Sequence, residues 1–293
     1  MLTPEELMRR IRRIEIYSDH LANDMFAGQY ESAFRGRGVE FAEVRQYHPG
    51  DDVRTIDWRV SARAGSLHVK QFVEERELTV MLVVDASASV HYGTAVETKA
   101  ETMAEIAATL AFSAIRNQDK VGAVMFTEDA ELYQPPKKGR RQVLQLIRNI
   151  LFFQPQAVTT DIARALEYTG RILTRRAIIF VISDFQDDNY LKPLATLARR
   201  HDVVAIEVPD RTERSLPATG LVELEDAETG KRVLADLSYS RFVRSFAGNQ
   251  QAAAEQRAAD INSAGGDYIS IYAGESPVSP LMEFFDRRAR KRR

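Results

Sequence analysis

Leu78-Thr79-Val80-Met81-Leu82-Val83-Val84-Asp85-Ala86-Ser87-Ala88-Ser89-Val90 is the stretch that decides the fold. Leu78 to Val84 is an almost unbroken apolar run rich in β-branched side chains, the pattern of a strand buried on both faces of a parallel sheet. Asp85 ends the run. A carboxylate at the carboxyl end of a central strand, with Ser87 and Ser89 leading into a helix, puts three oxygen donors where open α/β sheets bind ligands. The Asp-x-Ser-x-Ser spacing is therefore half of a hard-cation site. It equally suits a strand that ends in an Asx or Ser turn capping the next helix, and the stretch alone does not separate the two.

Downstream, strands and helices alternate. Thr94 to Asn117 is a helix with Met103, Ile106, Ala107, Leu110 and Ile115 on its apolar side, Val121 to Phe126 a second strand, and Glu131 to Tyr133 a short third strand before Pro135-Pro136. Gly139 to Phe153 is helical. Thr159-Thr160-Asp161 precede Ile162, Leu166 and Ile172, so they sit at a helix N-terminus where hydroxyls and amides converge. Ala177 to Ser183 repeats the opening device, an apolar strand that ends in Asp184. A helix over Tyr190 to Arg200, a strand over Val203 to Val208, a hairpin over Glu223 to Ala235, a helix over Tyr239 to Ala264, a strand over Tyr268 to Tyr272 and a helix over Pro280 to Arg293 complete the chain. This order predicts an α/β fold with a doubly wound, mostly parallel sheet over residues 78–293, the hairpin near 221–236 being an insertion.

Upstream the pattern changes. Thr3-Pro4-Glu5-Glu6 is a helix start, and Leu7, Ile11, Ile14, Leu21 and Met25 recur at helical spacing until Gly28, predicting an amphipathic helix over 1–28. Arg9, Arg10, Arg12 and Arg13 lie on its other face, which reads as solvated or internally paired. Residues 29–77 read as a small β-containing module added to the main sheet. Pro49-Gly50 fits the centre of a type II turn, and Val53 to Arg63 interleaves Arg with Trp58, the single tryptophan. Asp51, Asp52 and Asp57 would repel phosphates, so the expectation is Arg–Asp pairing around a buried Trp58.

Composition narrows the functional classes. The 293 residues are 44% hydrophobic and 28% charged with a formal net charge of -2, which suits a globular protein and argues for no obligate polyanion partner. Cys is absent, which removes disulfides and thiolate ligands. No signal-peptide pattern opens the sequence and no apolar run approaches bilayer length, so a cytoplasmic location is expected.

Asp85, Ser87, Ser89, Thr160 and Asp184 all fall at the carboxyl ends of strands or in loops on that edge, which right-handed crossovers bring together. The set resembles the metal-ion-dependent adhesion site (MIDAS) of a von Willebrand factor A domain. Gly38-Val39-Glu40-Phe41, Arg45-Gln46-Tyr47-His48-Pro49-Gly50-Asp51-Asp52, Ile56-Asp57-Trp58 and Ser61-Ala62-Arg63 resemble the signature of the bacterial domain-of-unknown-function family fifty-eight. Members of that family carry such an A domain, and their genes typically neighbour a MoxR-type AAA+ ATPase. The resemblance implies Ser87 and Ser89 as direct ligands, Thr160 as a direct or water-bridged one, and Asp85 and Asp184 acting mainly through water. An oxygen-only set with retained waters suits Mg²⁺, with Mn²⁺ or Ca²⁺ as alternatives. Two carboxylates neutralise the ion and three hydroxyls donate weakly, which leaves a position electrophilic enough for a partner's Asp or Glu. Thr159 and Phe185 stand where many A domains have glycine, so Thr159 competes with Thr160 as ligand and Phe185 is placed to narrow the access.

Two functional classes follow. The first is a metal-dependent protein–protein interaction module, an adaptor or partner of a MoxR-type ATPase or its client in the assembly or maturation of other proteins, without catalytic residues. The second is a metal-dependent phosphotransferase or phosphatase of haloacid-dehalogenase-like type, which needs a second Asp two residues after the nucleophile, where this chain has Ser87, and a Lys-rich phosphate clamp, of which there is no sign near Asp184. Nucleotide-binding glycine motifs are absent, and the five His residues show no ligand spacing. Asp85 and Ser87 are expected at a solvent-facing rim.

Overall fold

The apolar run forms β3 (Thr79–Asp85), buried from Val80 onward. In the computed structural model, which describes residue 12 and residues 24–34, 39–74, 77–91, 98–157, 159–216, 220–225 and 232–291, β3 lies inside a six-stranded sheet of order β10-β7-β6-β3-β4-β5. β4 (Lys120–Phe126), β6 (Ile178–Ser183), β7 (Asp202–Glu207) and β10 (Asp267–Ser270) run parallel to it or to each other, and β5 (Ala130–Lys137) is an antiparallel edge.

Alternate residues of β3 serve two hydrophobic layers, as the pleat requires. Val80, Leu82 and Val84 pack with side chains of α1 (Asp24–Phe34), α3 (Lys99–Arg116), α4 (Arg140–Phe152) and α9 (Val278–Lys291). Met81 and Val83 pack with α5 (Ile162–Ile172), α6 (Leu191–Ala198) and Ile261 of α8 (Ser240–Ser263). The chain leaves β3 toward β4 on one side and β6 toward β7 on the other, so the direction of winding reverses between β3 and β6. That reversal is where such sheets open a crevice at their carboxyl edge.

Several elements differ from their sequence-based limits for physical reasons. α1 passes straight through Gly28 and ends at Phe34, because Phe26, Tyr30 and Phe34 on one face pack edge-on against Phe285 of α9, and that packing outweighs one glycine. The start at Thr3 lies outside the described residues, and Arg12 is exposed. β5 runs through Pro135 and Pro136 instead of stopping before them, which an edge strand allows because one side of its backbone has no partner to donate to. α3 begins at Lys99 with Thr98 as cap in a capping box with Glu101.

Gly122 of β4 explains how a strand with two prolines sits close. A Cβ there would lie 2.8 Å from both Gln134 O and Pro136 N. Gly122→Ala is expected to force β5 outward and to cost about 1–3 kcal/mol, read as a lower thermal midpoint; an unchanged melt would mean that the edge yields freely.

Two charge clusters tie the helices to the sheet. Arg288 of α9 reaches Asp202, Asp267 and the Ala33 carbonyl, with its guanidinium 4.7 Å from the Phe34 ring centroid. Buried Glu207 takes Arg214, Arg257 and the Tyr268 hydroxyl, joining α7 (Arg211–Arg214), α8 and β10 to the end of β7.

Residues 39–74 fold beside this sheet as a ladder of their own, β1 (Val39–Gln46) antiparallel to β2 (His68–Glu74). Between them, His48 to Asp51 form a turn closed by Asp51 N–H on His48 O at 3.0 Å, with Gly50 at φ 111°, as Pro49-Gly50 predicts. α2 (Trp58–Ala64) follows, capped by Asp57, and Ile56 bridges to Val69. Arg45 grips Asp51 through two bonds of 2.7 Å and, with the His48 N–H, holds its carboxyl down to about 2. The expected burial of Trp58 is wrong: its side chain is 68% exposed. Ile56 and Val69 take the buried positions of this small module instead. β8 (Leu221–Glu225) and β9 (Arg232–Asp236) form the third sheet, a separate antiparallel pair.

Candidate metal centre

Asp85 is the last residue of β3, in register with Phe126 at the end of β4. Its Oδ1 accepts the Ser87 N–H at 2.9 Å, and its Oδ2 accepts the Ser183 hydroxyl of the neighbouring strand at 2.6 Å. Ser87 Oγ lies 3.0 Å from Ser89 Oγ. The Asx turn that the spacing allowed is present, but it leaves the two hydroxyls facing each other. Neither Asp85 nor Ser87 is on a rim, since they are 2% and 0% exposed; the short helical turn at Ala88–His91 follows them.

Thr160 reaches the same edge from another loop. Asp161 N–H donates to Thr127 O just past β4 at 3.0 Å, and Ile162 N–H donates to Asp187 Oδ2 of the loop after β6 at 2.8 Å. The loop before α5 is thus pinned from both sides across the end of β3. Thr159 spends its hydroxyl on Glu128 at 2.6 Å, whereas Thr160 Oγ1 is buried with no hydrogen-bond partner among the described residues. A buried hydroxyl without a partner costs about 1–3 kcal/mol, which sets Thr160 Oγ1 apart from the hydroxyl of Thr159 in the same loop.

Asp184 follows β6 and is buried. Burial first, and then the charge of Asp184, push the Asp85 carboxyl up to about 6, against the bonds from Ser183 and Ser87. The hydrogen bonds to Asp85 come from neutral groups, the Ser87 N–H and the Ser183 hydroxyl, so its own charge is not balanced by a contacting cation. Among the described residues no three His, Asp or Glu side chains gather to hold a metal, so a cation at this edge depends on the hydroxyls. The donor set of Ser87, Ser89 and Thr160 with two carboxylates behind them fits a hard, hydrated divalent ion.

Sequence reasoning missed the cation that is already there. Lys99, the first residue of α3, is 1% exposed, and its Nζ donates to Asp184 Oδ2 at 3.0 Å and to Glu213 Oε1. Burial pushes the ammonium down, but Asp184 and Glu213 outweigh it and hold it above its usual value. A local signal existed. A lysine at the first position of a helix opposes the macrodipole, and such a residue is placed there for a partner outside the helix.

Phe185 stands where many A domains have glycine, and its φ of 54° shows why glycine suits the position. Its N–H donates to Ser183 Oγ at 3.1 Å and its buried ring packs on Tyr190 at 5.4 Å. The ring belongs to the core under α6 rather than to the mouth of the site.

The family model described as "Protein of unknown function DUF58" matches residues 43–259, which span the small module, β3, Thr160 and Asp184. The chain belongs to the DUF58 family. The uncharacterized protein Rv1480 of Mycobacterium tuberculosis is 33% identical over 289 residues, 97% of this chain and 90% of that protein. YeaD of Bacillus subtilis is 24% identical over 142 residues, 48% of this chain and 33% of YeaD. Among solved structures, a conserved hypothetical protein BatB from Bacteroides thetaiotaomicron covers 73% of this chain and 99% of its own at 17% identity and TM-score 0.49. The SpRpn10 VWA domain covers 71% and 94% at 12% identity and TM-score 0.38. At those values the fold assignment rests on this DUF58 chain's own strand order. Among its described residues no helix is long and apolar enough to cross a membrane.

Proposed function

We propose that this DUF58 chain is a metal-dependent protein-interaction module whose site is the edge formed by Asp85, Ser87, Ser89, Thr160 and Asp184. The observation that carries the reading is the unpartnered buried hydroxyl of Thr160, in a loop pinned to the segments that follow β4 and β6, the two strands that flank β3 and its Asp85. Ser87, Ser89 and Thr160 would hold Mg²⁺ directly, with Asp85 and Asp184 behind them. Bound there, the ion supplies an electrophilic position for a carboxylate oxygen. Asp85 is fixed by Ser87 N–H and Ser183 Oγ, so its role is to orient and to balance charge rather than to react. The partner in this reading offers an Asp or Glu, and the family resemblance names a MoxR-type AAA+ ATPase or one of its clients as that partner, in assembly or maturation of other proteins.

Lys99 beside Asp184 supplies the cation that phosphotransfer chemistry would want, so the enzyme reading gains one residue from the fold. It still lacks the general acid that this chemistry needs two residues after the nucleophile, where the chain has Ser87. The binding module remains the better account.

The test separates the two threonines. Mg²⁺ at about 100 times its dissociation constant stabilises a fold by about 2.7 kcal/mol. Thr160→Val is expected to lose that Mg²⁺-dependent rise in thermal midpoint, and Thr159→Val to keep it. Wild-type chain that melts identically in Mg²⁺ and in chelator would remove the metal from the proposal.

A further inference from the structure

We propose that α2 and the turn before it form a docking surface for an acidic protein segment that carries an aromatic or aliphatic anchor. Trp58 is 68% exposed, and Val53 and Leu67, at 63% and 44%, lie exposed in the same small module. Tryptophan has more apolar surface to hide than any other side chain, and leaving it in water is what binding sites do.

Charge says what the surface fits. The module between Tyr47 and Lys70 holds three acids, and each is occupied. Asp51 is clamped by Arg45, Asp52 accepts the Arg54 N–H at 2.9 Å, and Asp57 caps α2 through Arg59 N–H and Val60 N–H with Lys70 at 3.7 Å. The guanidinium groups of Arg54, Arg59 and Arg63 are exposed and make no ion pair with a described residue. Arg59 and Arg63 are one helical turn apart and so share a side of α2, while Ala62, one turn on from Trp58, leaves the indole standing proud. Trp and Arg together are the residue types that carry most interface energy. Val53 and Leu67 are aliphatic and give a nucleic acid neither a stacking face nor a phosphate contact, whereas they match the apolar anchor of a protein segment, so a mixed apolar and acidic protein surface is the occupant favoured here. The site shares no residue with the metal edge and does not rest on it.

Because Trp58 is the single tryptophan, its emission in the full chain reports this surface alone. The probe is a random copolymer of Glu and Tyr, with polyglutamate, phosphatidylserine vesicles and duplex DNA as comparators. The expected result is a saturable blue shift with the copolymer, about tenfold or more weaker with polyglutamate, and unchanged by chelator. Arg59→Glu combined with Arg63→Glu, whose fold is checked by circular dichroism, should weaken it by a similar factor. A silent Trp58 with the copolymer overturns the proposal, as does equal binding by the double variant. A blue shift produced by vesicles or DNA and not by the copolymer overturns it too, by assigning the surface to a membrane or a nucleic acid.

Discussion

Asp85→Asn is expected to weaken Mg²⁺ binding by roughly 10–100-fold, the range for groups that act behind direct metal ligands, while leaving the metal-free chain at least as stable as wild type. The second half of that statement is the sharper one. Asp85 is buried beside Asp184, and burial together with that like charge pushes its carboxyl up to about 6. The fold therefore works against the charge it keeps there, which is a common sign of a site built for something other than stability. Asn preserves the shape. Its oxygen can accept the Ser87 N–H now at 2.9 Å, and its amide can donate to Ser183 Oγ, now 2.6 Å from the carboxylate. No cavity opens, although the residue is fully packed and not at a rim. Titration calorimetry with Mg²⁺ and melts in chelator read the two halves separately. Unaltered Mg²⁺ affinity in the variant would show that Asp85 is outside the ion's reach, and a much lower metal-free midpoint would show that its charge is structural. Loss of partner binding should follow loss of the ion and be copied by chelator in the wild type.

Local chemistry was legible in the sequence, and long-range chemistry was not. β3 announced itself because both of its faces are buried from Val80 onward, so no polar residue interrupts Val80 to Val84 before Asp85. The Asx turn in which Asp85 accepts the Ser87 N–H followed from spacing alone. Thr159 and Thr160 were indistinguishable as neighbours, and only the position of Glu128 on a different loop tells them apart. Lys99 escaped for the same reason, since it lies 85 residues before the carboxylate it meets. Trp58 was misplaced by a general rule about large apolar side chains, which fails in a module with one two-stranded ladder and too little surface to cover them. Gly28 and Pro135-Pro136 read locally as stops, yet each lies where the surrounding structure removes the penalty, on a helix anchored by aromatic packing and on a sheet edge.

Lys99 also sets the largest stability effect. Lys99→Met removes a fully buried ammonium from between Asp184, itself buried, and Glu213, whose side chain is one-third exposed. Breaking one side of a buried pair costs about 3–5 kcal/mol because the remaining charge stays dry, and here the stranded charge is that of Asp184, since Glu213 can turn to water. The metal-free variant should melt well below wild type. Added Mg²⁺ should recover more stability in the variant than in wild type, because the ion no longer shares Asp184 with a fixed positive charge; its affinity should rise by about tenfold or more, a modest part of the Coulomb repulsion between close cations. Lys99→Arg is the control, since it keeps the charge and should keep both the stability and the weaker Mg²⁺ response if it folds. The outcomes separate cleanly in melts with and without the ion. A variant that is destabilised and not rescued by Mg²⁺ would mean that Lys99 is itself the resident cation of this edge and that no metal enters. A variant rescued only to the wild-type extent would mean that the ion binds at Ser87, Ser89 and Thr160 without contesting Asp184, and the carboxylate behind the site would then belong to Lys99 alone.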